Sequence, residues 1–275
     1  MKELLTRSIS GLLYVTLLIV SMYWQNALLV VLFVFGLLSL AEFIKLIKLK
    51  SFIIPAVLFT FLYFGFWYWC TIHTSTIGTN EAIQILLVIT IFVNLFLIKD
   101  LFTFKKIPLF ESKRYIATTF YLSSGFVFML LIANYLNAYT PLFLLGSFIL
   151  VWVNDSFAYI TGKNFGKQKL FPSVSPKKTF EGFLGGLFFA CVSSYFISTY
   201  LETSLGFNSW LILSIIVSVF GTFGDLIESK FKRQAEVKDS GVIMPGHGGL
   251  LDRLDSIIFA APFIYLFLRI LTYVS

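Results

Sequence analysis

The stretch Phe52-Ile-Ile-Pro-Ala-Val-Leu-Phe-Thr-Phe-Leu-Tyr-Phe-Gly-Phe-Trp-Tyr-Trp-Cys-Thr-Ile72 contains no charged side chain. A bilayer core of about 30 Å is crossed by about 20 helical residues, so a run of this length and polarity reads as a membrane-spanning helix. The rest of the chain agrees. Hydrophobic residues make up 58% of the 275, charged residues only 13%, and the mean hydropathy is +0.88. A water-soluble fold has no place to hide that much apolar surface, whereas a bundle in lipid needs apolar side chains on its outer face as well. The 33 phenylalanines are read mainly as such filler.

Eight further apolar windows flank the first: Ile9 to Tyr23, Asn26 to Ile44, Ala82 to Ile98, Tyr115 to Asn134, Pro141 to Ile160, Phe180 to Tyr200, Ser209 to Glu228 and Leu254 to Val274. The expected fold is therefore an all-α, polytopic bundle of about nine transmembrane helices. The first two windows are short enough to form a tilted hairpin. Lys2 and Arg7 give the first a signal-like start, but Tyr23, Trp24, Gln25 and Asn26 are not a small-residue cleavage site, so it reads as an uncleaved span. With nine alternating helices, twenty of the 21 cationic residues fall on one side of the membrane, Arg269 being the exception. The positive-inside rule then places the N-terminus in the cytoplasm and the C-terminus outside. The net charge of +7 follows from this orientation, and nucleic acid is not an expected partner. Cys70 and Cys191 stand alone in separate apolar stretches, so neither a disulfide nor a zinc site is expected.

By content the chain divides into N-terminal helices, residues 1–147, and a C-terminal catalytic region, residues 148–275, within one membrane unit. In the second part, acids lie where lipid disfavours them, at about 2.5–3.5 kcal/mol each near a helix centre. Asn154 and Asp155 close the sixth window, Glu181 opens the seventh, Asp225 and Glu228 end the eighth, and Asp252 and Asp255 open the ninth. All these ends share the basic side, so they can converge on one cavity. Asp225 with Glu228, and Asp252 with Asp255, are three apart and share helix faces. Oxygen ligands from two helices suit Mg2+, which takes few carboxylates and leaves its other positions to water and phosphate. A terminal acid can equally cap its helix or pair with a lysine, a reading that weighs most for Glu228 and Glu181.

Two connections have the composition of phosphate cradles. Ser175-Pro-Lys177-Lys178-Thr179 precedes a helix whose first N–H groups are unpaired and whose dipole is positive. Pro176 and Thr179 also fit an ordinary N-cap. The second connection is longer: Ser229-Lys-Phe-Lys232-Arg233, then Lys238-Asp239-Ser240-Gly241, then Pro245-Gly246-His247-Gly248-Gly249-Leu-Leu-Asp252-Arg253-Leu-Asp255. Its glycines let backbone approach a ligand, and cations beside paired aspartates are the mixture a metal–nucleotide site needs.

This second stretch closely resembles the phosphatidate cytidylyltransferase (CDP-diacylglycerol synthase) family, whose pattern S-x-x-K-R-x4-K-D-S-x4-P-G-H-G-G-x-x-D-R-x-D is met at every fixed position from Ser229 to Asp255. Asn154, Asp155, Gly162, Gly166 and Ser175 to Thr179 also look like that family. The resemblance implies a multi-pass plasma-membrane enzyme, of the bacterial inner-membrane type and usually dimeric. Such an enzyme transfers the cytidylyl group of CTP to phosphatidate at the cytoplasmic face. On this reading Mg2+ is the cofactor, held by Asp225, Asp252 and Asp255. Whether a second, monovalent cation joins it is left open. Lys238, Asp239, His247 and Arg253 form the expected catalytic group, while Asn154, Asp155, Ser175, Lys177, Lys178, Thr179, Lys232, Arg233, Gly246, Gly248 and Gly249 bind CTP or phosphatidate. The rivals are a CTP-dependent kinase of a lipid alcohol and, with less support, a transporter whose acids line a pathway.

Overall fold

The structure is a computed structural model describing residues 2–72, 77–103, 106–107, 110–136, 138–246 and 248–274. Each apolar window becomes a helix: α1 (Lys2–Ser21), α2 (Gln25–Leu46), α3 (Ile53–Ile72), α4 (Ile77–Leu101), α5 (Glu111–Ala133), α6 (Leu142–Phe165), α7 (Phe180–Tyr200), α8 (Phe207–Gln234) and α9 (Leu251–Val274). Among the described residues, seven helices are long and apolar enough to cross a membrane, namely α2 and α4 to α9. Shorter apolar stretches cover Ser8–Ser21 of α1 and Ile53–Tyr68 of α3. Of the first two windows, which looked short, the second is not, because α2 runs for 22 residues. Residues 147 and 148 lie inside α6, so the change in content along the chain is not a break in the fold.

The helices are not equivalent. In α5, 83% of the span is buried, against 28% in α7, so α5 runs through the centre and α7 presents a face such as Phe188, Tyr195 and Phe196 outward. Without a hydrophobic drive between helices in lipid, close contact depends on small residues. A side chain at Gly185 would strike Thr161, and one at Gly186 would come within 2.7 Å of the Asn154 carbonyl, which holds α7 tightly on α6. A side chain at Gly224 of α8 would lie 2.6 Å from the Asp255 carbonyl of α9. That second approach brings the acids of α8 and α9 together.

One feature departs from a purely helical reading. The connection after α6 folds back as a small antiparallel hairpin, β1 (Lys169–Phe171) and β2 (Ser175–Thr179), with Lys169 opposite Thr179 and Phe171 opposite Ser175. Phe180 N donates to the Gln168 carbonyl at 2.9 Å and extends the pairing into the start of α7. Pro176, which cannot donate to a ladder, is tolerated because each strand of a two-stranded hairpin is an edge.

Candidate active site

Asp225 and Glu228 lie one turn apart on α8, and Asp255 faces them from the first turns of α9. Ligand oxygens of these three lie within 4.8 Å of one another. Glu228 is fully buried, Asp255 is 7% exposed, and Asp225 is partly open. The converging trio is thus not the expected Asp225, Asp252 and Asp255. Glu228 has joined it, and Asp252 is turned toward its own loop. There Asp252 accepts from Lys232 Nζ at 2.7 Å, from Ser240 N at 3.0 Å and from Gly249 N at 2.8 Å.

Two ammonium groups reach this cluster. Lys178, at the end of the hairpin, pairs with Asp225, and Lys232 bridges Glu228 at 2.5 Å and Asp252. Burial works against the charge of Lys178, but Asp225, through charge and hydrogen bond, outweighs it and raises the lysine pKa. Asp155 of α6 lies close enough to Asp225, Lys178 and Arg253 to interact with their charges. The carboxyl groups of Asp155, Asp225, Glu228, Asp252 and Asp255 thus gather around the ammonium groups of Lys178 and Lys232.

This arrangement fits a hard divalent cation. The donors are all oxygens, they converge from two helices, and Glu228 Oε1 is buried with no hydrogen-bond partner among the described residues. The hydroxyl of Tyr121, also buried and without such a partner, lies where it feels the charges of Glu228, Asp255 and Asp225. Tyr121 sits in a π-helical turn of α5, Thr118–Ser123, a distortion common at functional sites. Nothing in the sequence reading singled out Tyr121, because an aromatic in an apolar run looks like filler.

The remaining expected residues divide into two groups. Lys177, Lys238, Asp239, Arg233, Gly246 and Arg253 are exposed, and Ser175 is half-buried. Arg233 also ties α8 to the hairpin, its Nε donating to the Val174 carbonyl at 3.3 Å. Other residues are committed inward. Thr179 is the N-cap of α7, accepting from Gly182 N at 3.1 Å, so the capping alternative describes this helix start. Glu181 accepts from the backbone of Lys167 and Gln168 and closes the turn after α6. Asn154 is buried, with its amide 3.3 Å from Asp155 Oδ1. Gly248 has a φ of +88°, with Asp252 Oδ2 within 2.8 Å of where a side chain would start, and Gly249 is buried. His247 lies outside the described residues.

The sequence matches the cytidylyltransferase family over residues 5–271. It is 31% identical over 276 residues to a phosphatidate cytidylyltransferase of Bacillus subtilis (strain 168), an alignment covering 98% of this chain and 97% of that protein. Over 128 residues it is 48% identical to a phosphatidate cytidylyltransferase of Staphylococcus haemolyticus (strain JCSC1435), covering 46% of this chain and 48% of the relative. The protein of that name from Staphylococcus aureus (strain COL) is 46% identical over the same shares.

Proposed function

The chain belongs to the cytidylyltransferase family, and from that premise we propose how its site works. It transfers the cytidylyl group of CTP to phosphatidate, giving CDP-diacylglycerol and pyrophosphate. The observation that carries the site assignment is the convergence of Asp225, Glu228 and Asp255 where α8 and α9 cross, beside the Lys178 hairpin.

A phosphatidate phosphate oxygen attacks the α-phosphorus of CTP, forming a new P–O bond while the bond to the β-phosphate oxygen breaks and pyrophosphate leaves. A phosphate monoester has a second pKa of about 6, so at neutral pH the nucleophile is already largely ionised and needs no strong protein base. The barrier is the mutual repulsion of two polyanions, and catalysis comes from positioning and neutralisation. Asp225, Glu228 and Asp255 would hold Mg2+, with Asp252 beside them through Lys232. When bound, the ion supplies charge neutralisation to the triphosphate. The exposed Lys177, Arg233, Lys238 and Arg253 would orient phosphate oxygens, a reading their exposure and charge support, with Asp239 and Gly246 on the loop before α9. Lys178 is kept charged by Asp225 and stands between hairpin and cluster. Asn154 and Asp155 form the α6 wall of the site.

Nine crossings with a cytoplasmic N-terminus put the helix ends that carry these residues on the cytoplasmic side of the plasma membrane. The segregation of twenty cations to that side supports this topology. Lipid tails enter sideways between helices, which explains why a nucleotide-using enzyme is embedded in the bilayer. The family resemblance supports a homodimer, which cross-linking in membranes tests.

The deciding assay supplies purified, reconstituted protein with phosphatidate, CTP and Mg2+ and follows both products. CDP-diacylglycerol with pyrophosphate is the expected pair. CDP with a phosphorylated lipid alcohol would overturn this reading in favour of the kinase, and no Mg2+-dependent product would reopen the transporter.

A further inference from the structure

Glu42 lies in α2, some two hundred residues from the signature loop, and is 2% exposed in a helix that is otherwise almost wholly apolar. A carboxylate in such a place is stable only if its oxygens are met by donors. Glu42 Oε2 accepts from the Ser240 hydroxyl at 3.1 Å and from Leu251 N at 2.9 Å, and Oε1 accepts from Leu250 N at 3.2 Å. The two backbone groups belong to the start of α9, where N–H groups lack intrahelical acceptors and the dipole favours an anion. A residue of the second helix thus caps the ninth.

We infer that Glu42 is a positioning residue for the cytidylyl transfer, fixing the loop before α9 so that Asp255 is held against Asp225 and Glu228 and Asp252 against Lys232. The inference rests on the site reading above. Ser240 works in two directions, its hydroxyl donating to Glu42 while its N–H donates to Asp252. Gly249 gives its N–H to Asp252, and a side chain there would run into the Ser240 hydroxyl and lie 2.5 Å from Glu42 Oε2. A side chain at Gly241 would likewise strike the Glu42 carboxylate. Two glycines of the loop are therefore small because Glu42 occupies the space beside them. Asp255 sits one turn into the helix whose start Glu42 caps, so a shift of that start moves a member of the acidic trio. Glu42 itself is too deeply buried to touch substrate.

The test is Glu42→Gln, which keeps the size of the side chain but replaces one acceptor oxygen by a donor, so at least one of the three bonds is lost. The expected result is a kcat lowered about tenfold or more, the scale set by a hydrogen bond to a charged group. The Mg2+ concentration for half-maximal activity should rise severalfold, with the KM for CTP within about twofold of wild type, since ground-state nucleotide contacts are untouched. Ser240→Ala should move the same two quantities in the same direction by less, and the double variant should be no worse than Glu42→Gln alone, because both act on one network. A Glu42→Gln protein with wild-type kcat and Mg2+ dependence would overturn the inference, as would losses that multiply in the double variant. If Glu42→Gln is not recovered folded, Ser240→Ala decides by the same criteria. The Mg2+-induced rise in thermal stability in detergent gives a readout independent of turnover. It should need severalfold more ion in Glu42→Gln even if the wild-type chain proves to use another substrate.

Discussion

The hairpin before α7 and the loop before α9 carry similar residues, namely lysines, a serine, a proline or glycines, and an acid just inside the following helix. Their structures use those residues in opposite ways. The hairpin spends only Thr179 and Glu181 on its own geometry and leaves Lys177 in the open and Lys178 on Asp225. The loop turns its chemistry inward: Asp252 binds the loop's own N–H groups and Lys232 of α8, which is buried between two acids, and Gly249 packs against Glu42. A glycine-rich, charged composition therefore points to a candidate site without saying which of its residues are free to meet a ligand. What separates the two is the presence of a buried neighbour. The loop lies over Glu42, while the hairpin stands at the surface.

The largest test of that contrast is Asp252→Asn. If Asp252 organises the loop as well as the charge of the site, turnover should fall by roughly 100-fold or more, the scale of removing a group on which charge stabilisation depends. Its melting temperature in detergent should fall as well. A loss of turnover with unchanged thermal stability would break the comparison by showing that the bonds to Ser240 and Gly249 matter little. Next comes Lys178→Gln, which leaves Asp225 without its ammonium partner. A drop of about tenfold in kcat is expected, measured with CTP and phosphatidate both saturating.

Gly249→Ala should destabilise the protein by about 1–3 kcal/mol through overpacking against Ser240 and Glu42. Gly246→Ala, at an exposed glycine with a φ of +77°, should cost about 1 kcal/mol for a left-handed backbone alone. Equal thermal shifts in the two would remove the distinction between a packed glycine and a turn glycine. Lys177→Ala should raise KM for CTP or for phosphatidate severalfold at unchanged kcat, and the substrate whose KM moves identifies what the hairpin meets.

The apolar windows, the reach of each helix to within seven residues, and the neighbourhood proposed for the site were legible in the linear chain. Hydropathy over a span-length window is a local property, and charge at helix ends is imposed by the bilayer. The aspartates Asp225 and Asp255 were legible for the same reason, as acids at places lipid disfavours. What the chain alone could not decide is which acids meet. Glu228, and not Asp252, meets Asp225 and Asp255, because Gly224 lets α8 and α9 close to contact and because Lys232 lies between Glu228 and Asp252, both consequences of packing between two helices. Glu42 and Tyr121 were missed, although Glu42, a carboxylate inside an apolar helix, was itself a signal. Its partners lie some two hundred residues away, and only packing brings the start of α9 against α2. Hydropathy and helix ends are set residue by residue, whereas hydrogen-bond partners and buried charge pairs are set by what the tertiary fold places within about 3 Å.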